Sequence, residues 1–190
     1  MLRFDAMDLR RFFTAVDTHL PEPAAMTVIG GSAVALYGAS SGTQDVDTYR
    51  QLAAPLEEAV ARARLTTGLD IPVLPAPVAE VPYYFEDRLQ SEPGGWRRLT
   101  VYKLDPHDLA LSKASRGWES DLAAIAALHA VIPLDLEVLV TRYLDEMCYA
   151  VGDPARLDLC FVLLVERLFG ETAATQIETR LRSRRTPESA

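Results

Sequence analysis

The chain has 190 residues, of which 49% are hydrophobic and 24% charged; this is enough apolar material for a globular core and excludes disorder as the default state. The net charge is −8 and the pI near 4.9, which excludes a protein that wraps long stretches of nucleic acid through a broad basic surface and confines any RNA or DNA contact to a local site.

In chain order, Asp8 is the predicted N-cap of a first helix. Leu9, Phe12, Phe13, Val16 and Leu20 recur on one face, and the Pro21–Pro23 stretch ends it. Residues 26–29 form a short apolar run that stops at two glycines and predict a buried strand. From Ser32 a short helix is expected, closed by Gly38, and then a second strand over 43–49. Leu52, Leu56, Val60 and Ala63 mark another helix. The following segment, with Pro72, Pro75, Pro77 and Pro82, predicts short or edge strands, because proline cannot donate to a sheet ladder.

Residues 97–104 predict a strand. Asp105, Pro106 and Asp108 then supply a helix cap, a first-turn proline and a first-turn acid. Downstream the pattern is helical throughout, with stripes at Leu122, Ile125, Ala126 and His129, and at Leu136, Leu139, Val140, Tyr143, Leu144 and Met147. The segment 160–169 is apolar nearly all round and predicts the most buried helix. The tail from Ser183 is polar and is expected to be disordered.

Both cysteines, Cys148 and Cys160, fall in apolar helical patterns and predict buried free thiols, in keeping with a reducing cytoplasm. Arg3, Asp5 and Asp8 stand where a signal peptide needs an apolar core. The longest strongly apolar run, 159–165, is far short of the ~20 residues that span a bilayer. The expectation is a cytoplasmic protein with no membrane contact. The basic clusters Arg62/Arg64, Arg97/Arg98 and Arg180/Arg182/Arg184/Arg185 are expected to be solvated faces.

Chemistry concentrates between Val28 and Thr48. A strand running into Gly30-Gly31-Ser32 and a helix start gathers backbone N–H groups and the positive helix end where a phosphate can sit, and the Ser32 hydroxyl can add a donor. Asp45 and Asp47, two apart on a strand, point to one face, while Val46 points inward. Two adjacent carboxylates repel unless a cation neutralises them. Mg²⁺ (or Mn²⁺) bridging to substrate phosphates is the natural candidate.

This arrangement, glycine loop then Asp-x-Asp with thirteen residues between Gly31 and Asp45, resembles the polymerase-β-type minimal nucleotidyltransferase superfamily. The segments 84–88 and 104–113, with Arg116 and Asp121, are similar to an uncharacterised bacterial group of these proteins and to the nucleotidyltransferase-like toxins of toxin–antitoxin pairs. The resemblance covers residues 25 to 130. It implies that Asp45 and Asp47 hold metal, that Gly30, Gly31 and Ser32 bind the triphosphate, and that Lys113 meets the nucleotide phosphates. Thr48 departs from the family, which usually has an apolar residue there. Ala124 stands where relatives often carry a second acid, three positions after Asp121, so Asp121 is equally a first-turn charge favoured by the helix dipole.

A third carboxylate, the usual base for the attacking hydroxyl, is unassigned among Glu80, Glu86, Asp87 and Asp105; Glu86 and Asp87 are expected to pair with Arg88, and Asp105 to cap a helix. No P-loop, dinucleotide-binding or nucleophile-elbow motif is present, and His19, His107 and His129 have no metal-ligand spacing.

The expected fold is α+β: a small mixed-sheet nucleotidyltransferase core at 1–104, a helical bundle at 105–183 and a disordered tail at 184–190. The expected reaction moves a nucleoside monophosphate from NTP to a hydroxyl of RNA, such as a tRNA end, or of protein, with an antitoxin as a further partner by analogy. The alternative is a non-catalytic module that kept the fold and binds a nucleotide or a protein.

Overall fold

The computed structural model describes residues 3–40, 42–76 and 80–185, and within them the fold is α+β. Pro77 and the tail 186–190 lie outside the described residues.

Helix α1 (Ala6–His19) begins at Asp5, not Asp8. Asp5 accepts from the N–H groups of Met7 and Asp8, and the Asp8 carboxylate bonds back to the Asp5 N–H. Asp8 is therefore the third helical residue of a capping box, in which three backbone donors, the N–H groups of Asp5, Met7 and Asp8, are satisfied by the two side chains. The expected stripe Leu9, Phe12, Phe13 and Val16 is buried.

Strand β1 (Ala24–Ile29) lies at the centre of a five-stranded sheet. Helix α2 (Gly30–Leu36) follows at once. Strand β2 is only Val46–Thr48, shorter than the expected 43–49, because Thr43 is drawn away to bridge Phe4 at the chain's start. Helix α3 (Ala54–Thr67) ends at Gly68, and β3 (Val73–Pro75) forms one sheet edge, where Pro75 is tolerated. A 3-10 turn (Phe85–Arg88) leads to β4 (Gln90–Ser91) and β5 (Leu99–Lys103).

The strand order is β3-β2-β1-β5-β4, with β1 antiparallel to β2 and parallel to β5. Met26, Val28, Leu99 and Val101 pack into the core with α1 and α3. Thr27, Tyr49 and Tyr102 face a hollow of about 550 Å³ on the other side.

Helix α4 (Pro106–Ala114), capped by Asp105, opens the helical half. Helices α5 (Glu119–Val131), α6 (Leu136–Glu146), α7 (Pro154–Phe169) and α8 (Glu171–Arg185) follow. Three expectations fail here. Helix α7 is amphipathic, with Leu159 57% exposed, because only the Leu157, Cys160, Phe161, Leu164 and Val165 face is covered. The tail does not begin at Ser183: α8 continues to Arg185, anchored by buried Ala174, Ile177 and Leu181. Cys160 is a buried free thiol as expected, but Cys148 is exposed, in the 3-10 turn (Met147–Tyr149) where the chain leaves α6. Of the basic clusters, Arg62 and Arg182 form exposed pairs one helical turn from Glu58 and Glu178.

Candidate functional site

The β1–β2 pairing builds the site. Ile29 lies opposite Asp47, so the chain leaves β1 into Gly30 just where the Asp47 side chain stands. Gly30 has φ +64, and a Cβ built on it would fall on the Asp47 carboxylate. Glycine is required there twice, for its backbone conformation and for the close approach. On Gly31 a Cβ would come within 3.1 Å of the Thr43 hydroxyl. No side chain caps the start of α2, which leaves its first N–H groups for an anion. The Ser32 hydroxyl is fully buried and donates to the Ile29 carbonyl at 2.9 Å. It braces the turn from within, whereas the sequence suggests it as a hydrogen-bond donor to a phosphate.

Only Asp47 lies in the strand; Asp45 precedes it, because β2 starts at Val46. The two carboxylates straddle the glycine pair. Asp47 shares a hollow of about 230 Å³ with Gly30, and Asp45 borders another with Gly31 and Thr43. The larger hollow on the open sheet face has neither acid of the pair nor a glycine, so volume alone does not locate the chemistry. Burial first, and the Asp45 charge second, push the Asp47 carboxyl above its ordinary value, with Arg116 and Lys113 pulling the other way. A half-buried acid with an acidic neighbour fits a divalent cation, although among the described residues no group of three His, Cys, Asp or Glu side chains could hold one.

Lys113 reaches the Asp47 hollow, together with Glu80, Arg116 and Arg156. It is 5% exposed, and its ammonium is tied to Asp121 at 2.6 Å. Asp121, itself buried, also takes Arg116 through two bonds, Nε at 2.8 Å and Nη2 at 2.5 Å. Asp121 does lie in the first turn of α5, and there it is also a buried counter-ion for two cations. The spacing of Lys113, Arg116 and Asp121 across the α4–α5 turn was the available signal. Its meaning depends on the turn folding back, which Gly117 permits with φ +72.

Of the four candidates for a third acid, only Glu80 borders this hollow. Glu86 pairs with exposed Arg50 at 2.7 Å. Asp105 caps α4 and holds Arg142 at 2.5 Å and His107 at 3.2 Å. Arg88 does not pair with Glu86 or Asp87; it reaches buried Asp108 (3.0 Å) and partly buried Glu146 (2.6 Å). On β3 the residue opposite Asp47 is Leu74. The histidines stay apart: His19 contacts Thr66, His107 sits between Asp105 and the Asp135 N–H, and His129 accepts from the Leu134 N–H.

A family model described as nucleotidyltransferase of unknown function (DUF6036) matches residues 6–163, which include the glycine loop, the acid pair and all of α4 and α5. The chain belongs to this nucleotidyltransferase family. Its general chemistry is therefore nucleotidyl transfer, and the matched span runs from the start of α1 into α7. Neither the curated proteins nor the solved structures give a significant match. Among the described residues, no helix of this nucleotidyltransferase is long and apolar enough to cross a membrane.

Proposed function

We propose that the chain is a divalent-metal-dependent nucleotidyltransferase of polymerase-β type that moves a nucleoside monophosphate from NTP to a hydroxyl group. The observation that carries this reading is the contact of Gly30 with Asp47, which sets a phosphate-binding turn directly against a carboxylate in need of a cation. Asp45 and Asp47 would hold Mg²⁺ or Mn²⁺. When bound, the cation supplies charge neutralisation for the acid pair and for the substrate phosphates.

The residues of the chain do the positioning. The N–H groups at Gly30, Gly31 and Ser32 cradle the triphosphate, and the potential of buried Lys113 stabilises charge as it develops. The acceptor oxygen bonds to the α-phosphorus as the bond to the bridging oxygen breaks. Pyrophosphate departs with that electron pair, and the hydroxyl proton passes to water. Such transfers depend mainly on alignment and electrostatics, so a dedicated base is not obligatory. An RNA or protein hydroxyl as acceptor, and an antitoxin as partner, follow from the resemblance to the toxin relatives.

One observation favours a second reading, a non-catalytic module that binds a nucleotide or a protein. The strand beside Asp47 carries Leu74 opposite it and no acid. The two readings separate on incubation with Mg²⁺ or Mn²⁺, each α-labelled NTP in turn, and bacterial RNA or the protein itself. Label on RNA or protein that is lost in Asp45→Asn and Asp47→Asn supports the transferase. Tight nucleotide or protein binding with no labelling by any NTP establishes the module.

A further inference from the structure

The helical half brings a cation to the site that neither the glycine loop nor the acid pair explains. Arg156, in the first turn of α7, reaches back so that its Nη1 donates to the Arg116 carbonyl at 3.4 Å. Both side chains border the hollow that contains Asp47. Among the described residues Arg156 makes no ion pair with a carboxylate, and it is exposed.

Arg116 is held differently. Asp121 takes its Nε and Nη2, and its guanidinium lies 5.1 Å from the centre of the Trp118 ring. This leaves the two N–H bonds of Nη1 without a partner in the Asp121 pair. Asp121 already serves both Lys113 and Arg116, and the hollow's other acids, Asp47 and Glu80, form no ion pair with Arg156. Guanidinium groups, with donors in a flat fork, match phosphate oxygens in pairs.

We propose that Arg116 and Arg156 form a polyphosphate subsite, which takes the terminal phosphates of an NTP and then the leaving pyrophosphate, and that Asp121 is a positioning residue that holds the free edge of Arg116 toward it. The inference rests on the transferase reading of the site. It adds to that reading a dependence on α7, far along the chain from the acid pair.

Calorimetry of the intact protein with inorganic tripolyphosphate tests it without an acceptor or a choice of base. Arg156→Gln and Arg116→Gln should each weaken tripolyphosphate binding roughly ten- to hundredfold. Arg156→Lys should restore part of the loss. Arg156 is exposed, so the fold of its variants is not at stake. If Asp121 acts through Arg116, then Arg116→Gln made in an Asp121→Asn background should cause little further loss, whereas a merely structural Asp121 would give losses that add. The subsite is overturned if the wild type fails to bind tripolyphosphate at millimolar concentration, or if both glutamine variants bind it as the wild type does. Label transfer with unchanged tripolyphosphate affinity in the arginine variants sinks the subsite and leaves the transferase reading standing. Arginine-dependent tripolyphosphate binding with no transfer from any NTP does the reverse.

Discussion

Gly30 and Asp47 form one unit, and each yields a prediction. Alanine at Gly30 must adopt φ +64 and also displace the Asp47 carboxylate. Gly38, with φ +76 and open space around its Cα, bears the conformational strain alone. Gly38→Ala should therefore cost about 1–2 kcal/mol in urea unfolding, and Gly30→Ala more, with loss of metal-dependent nucleotide binding in Gly30→Ala only. Asp47 carries the second prediction. Its folded pKa is raised above the ordinary value near 3.8, so keeping it charged opposes folding at neutral pH; the penalty is complete above the folded pKa and disappears below the unfolded one. Without divalent metal, Asp47→Asn should be more stable than the wild type at pH 7, and the difference should vanish as the pH falls below 3.8. Urea midpoints in chelator across that range check it; an equal difference at both ends would refute the electrostatic account. The glycine pair and the acid pair were legible in the sequence because their spacing along the chain is local. The contact between them was not, because it depends on the register that sets Ile29 opposite Asp47.

At the scale of elements, a chain of ion pairs ties the 3-10 turn (Phe85–Arg88) to α4 and α6. Asp108, fully buried, accepts two bonds from Arg88 (3.0 and 3.1 Å) and one from Arg142 (2.8 Å). Glu146 accepts from Arg88 as well. Removing the central acid leaves Arg88 with Glu146 alone and Arg142 with Asp105 alone, and costs three charge-assisted bonds in a buried place. Asp108→Ala should cost about 1.5–3 kcal/mol, while Glu86→Ala, which breaks the exposed pair with Arg50, should cost less than about 1 kcal/mol. Denaturant titration of the two variants checks the contrast. Asp105 adds a pH dependence of the opposite sign to that of Asp47. Burial raises its carboxyl, but bonds from His107 and Arg142 outweigh this and hold it well below 3.8. The stability it contributes is present above 3.8 and is lost as the pH falls through the lower folded value, so Asp105→Asn should flatten acid unfolding in strongly acidic solution. The acid and cap at Asp105 were readable from the Asp-Pro-x-Asp pattern, but its salt bridge to Arg142 joins residues from two different helices.

At the scale of the whole molecule, the buried apolar side chains among the described residues form two clusters, one under the sheet and one among the later helices. Helix α4 belongs to both: Leu109 packs in the first cluster, and Ala110, Leu111 and Ala114 in the second. Leu128 of α5, with no exposure, also completes the first. A fragment ending at residue 104 should therefore lack the closed core needed to fold alone. Near-ultraviolet circular dichroism of that fragment should be featureless, and the intact chain should unfold in one cooperative step. A native-like spectrum and a sharp transition from the fragment would show that the sheet half stands without α4 and α5.

The sequence by itself determined what depends on neighbours along the chain. Turn chemistry and apolar periodicity fixed the helices and central strands, and the spacing of the glycines and acids exposed the site's core. Tertiary structure alone decided what depends on distant residues meeting. Asp121 became the counter-ion of Lys113 and Arg116, Ser32 turned its hydroxyl inward, Arg156 of α7 arrived beside Arg116, and Leu74 filled the place opposite Asp47. The physical reason is burial. A charge taken out of water must find a partner wherever the fold supplies one, and the chain's order does not say which helix that will be.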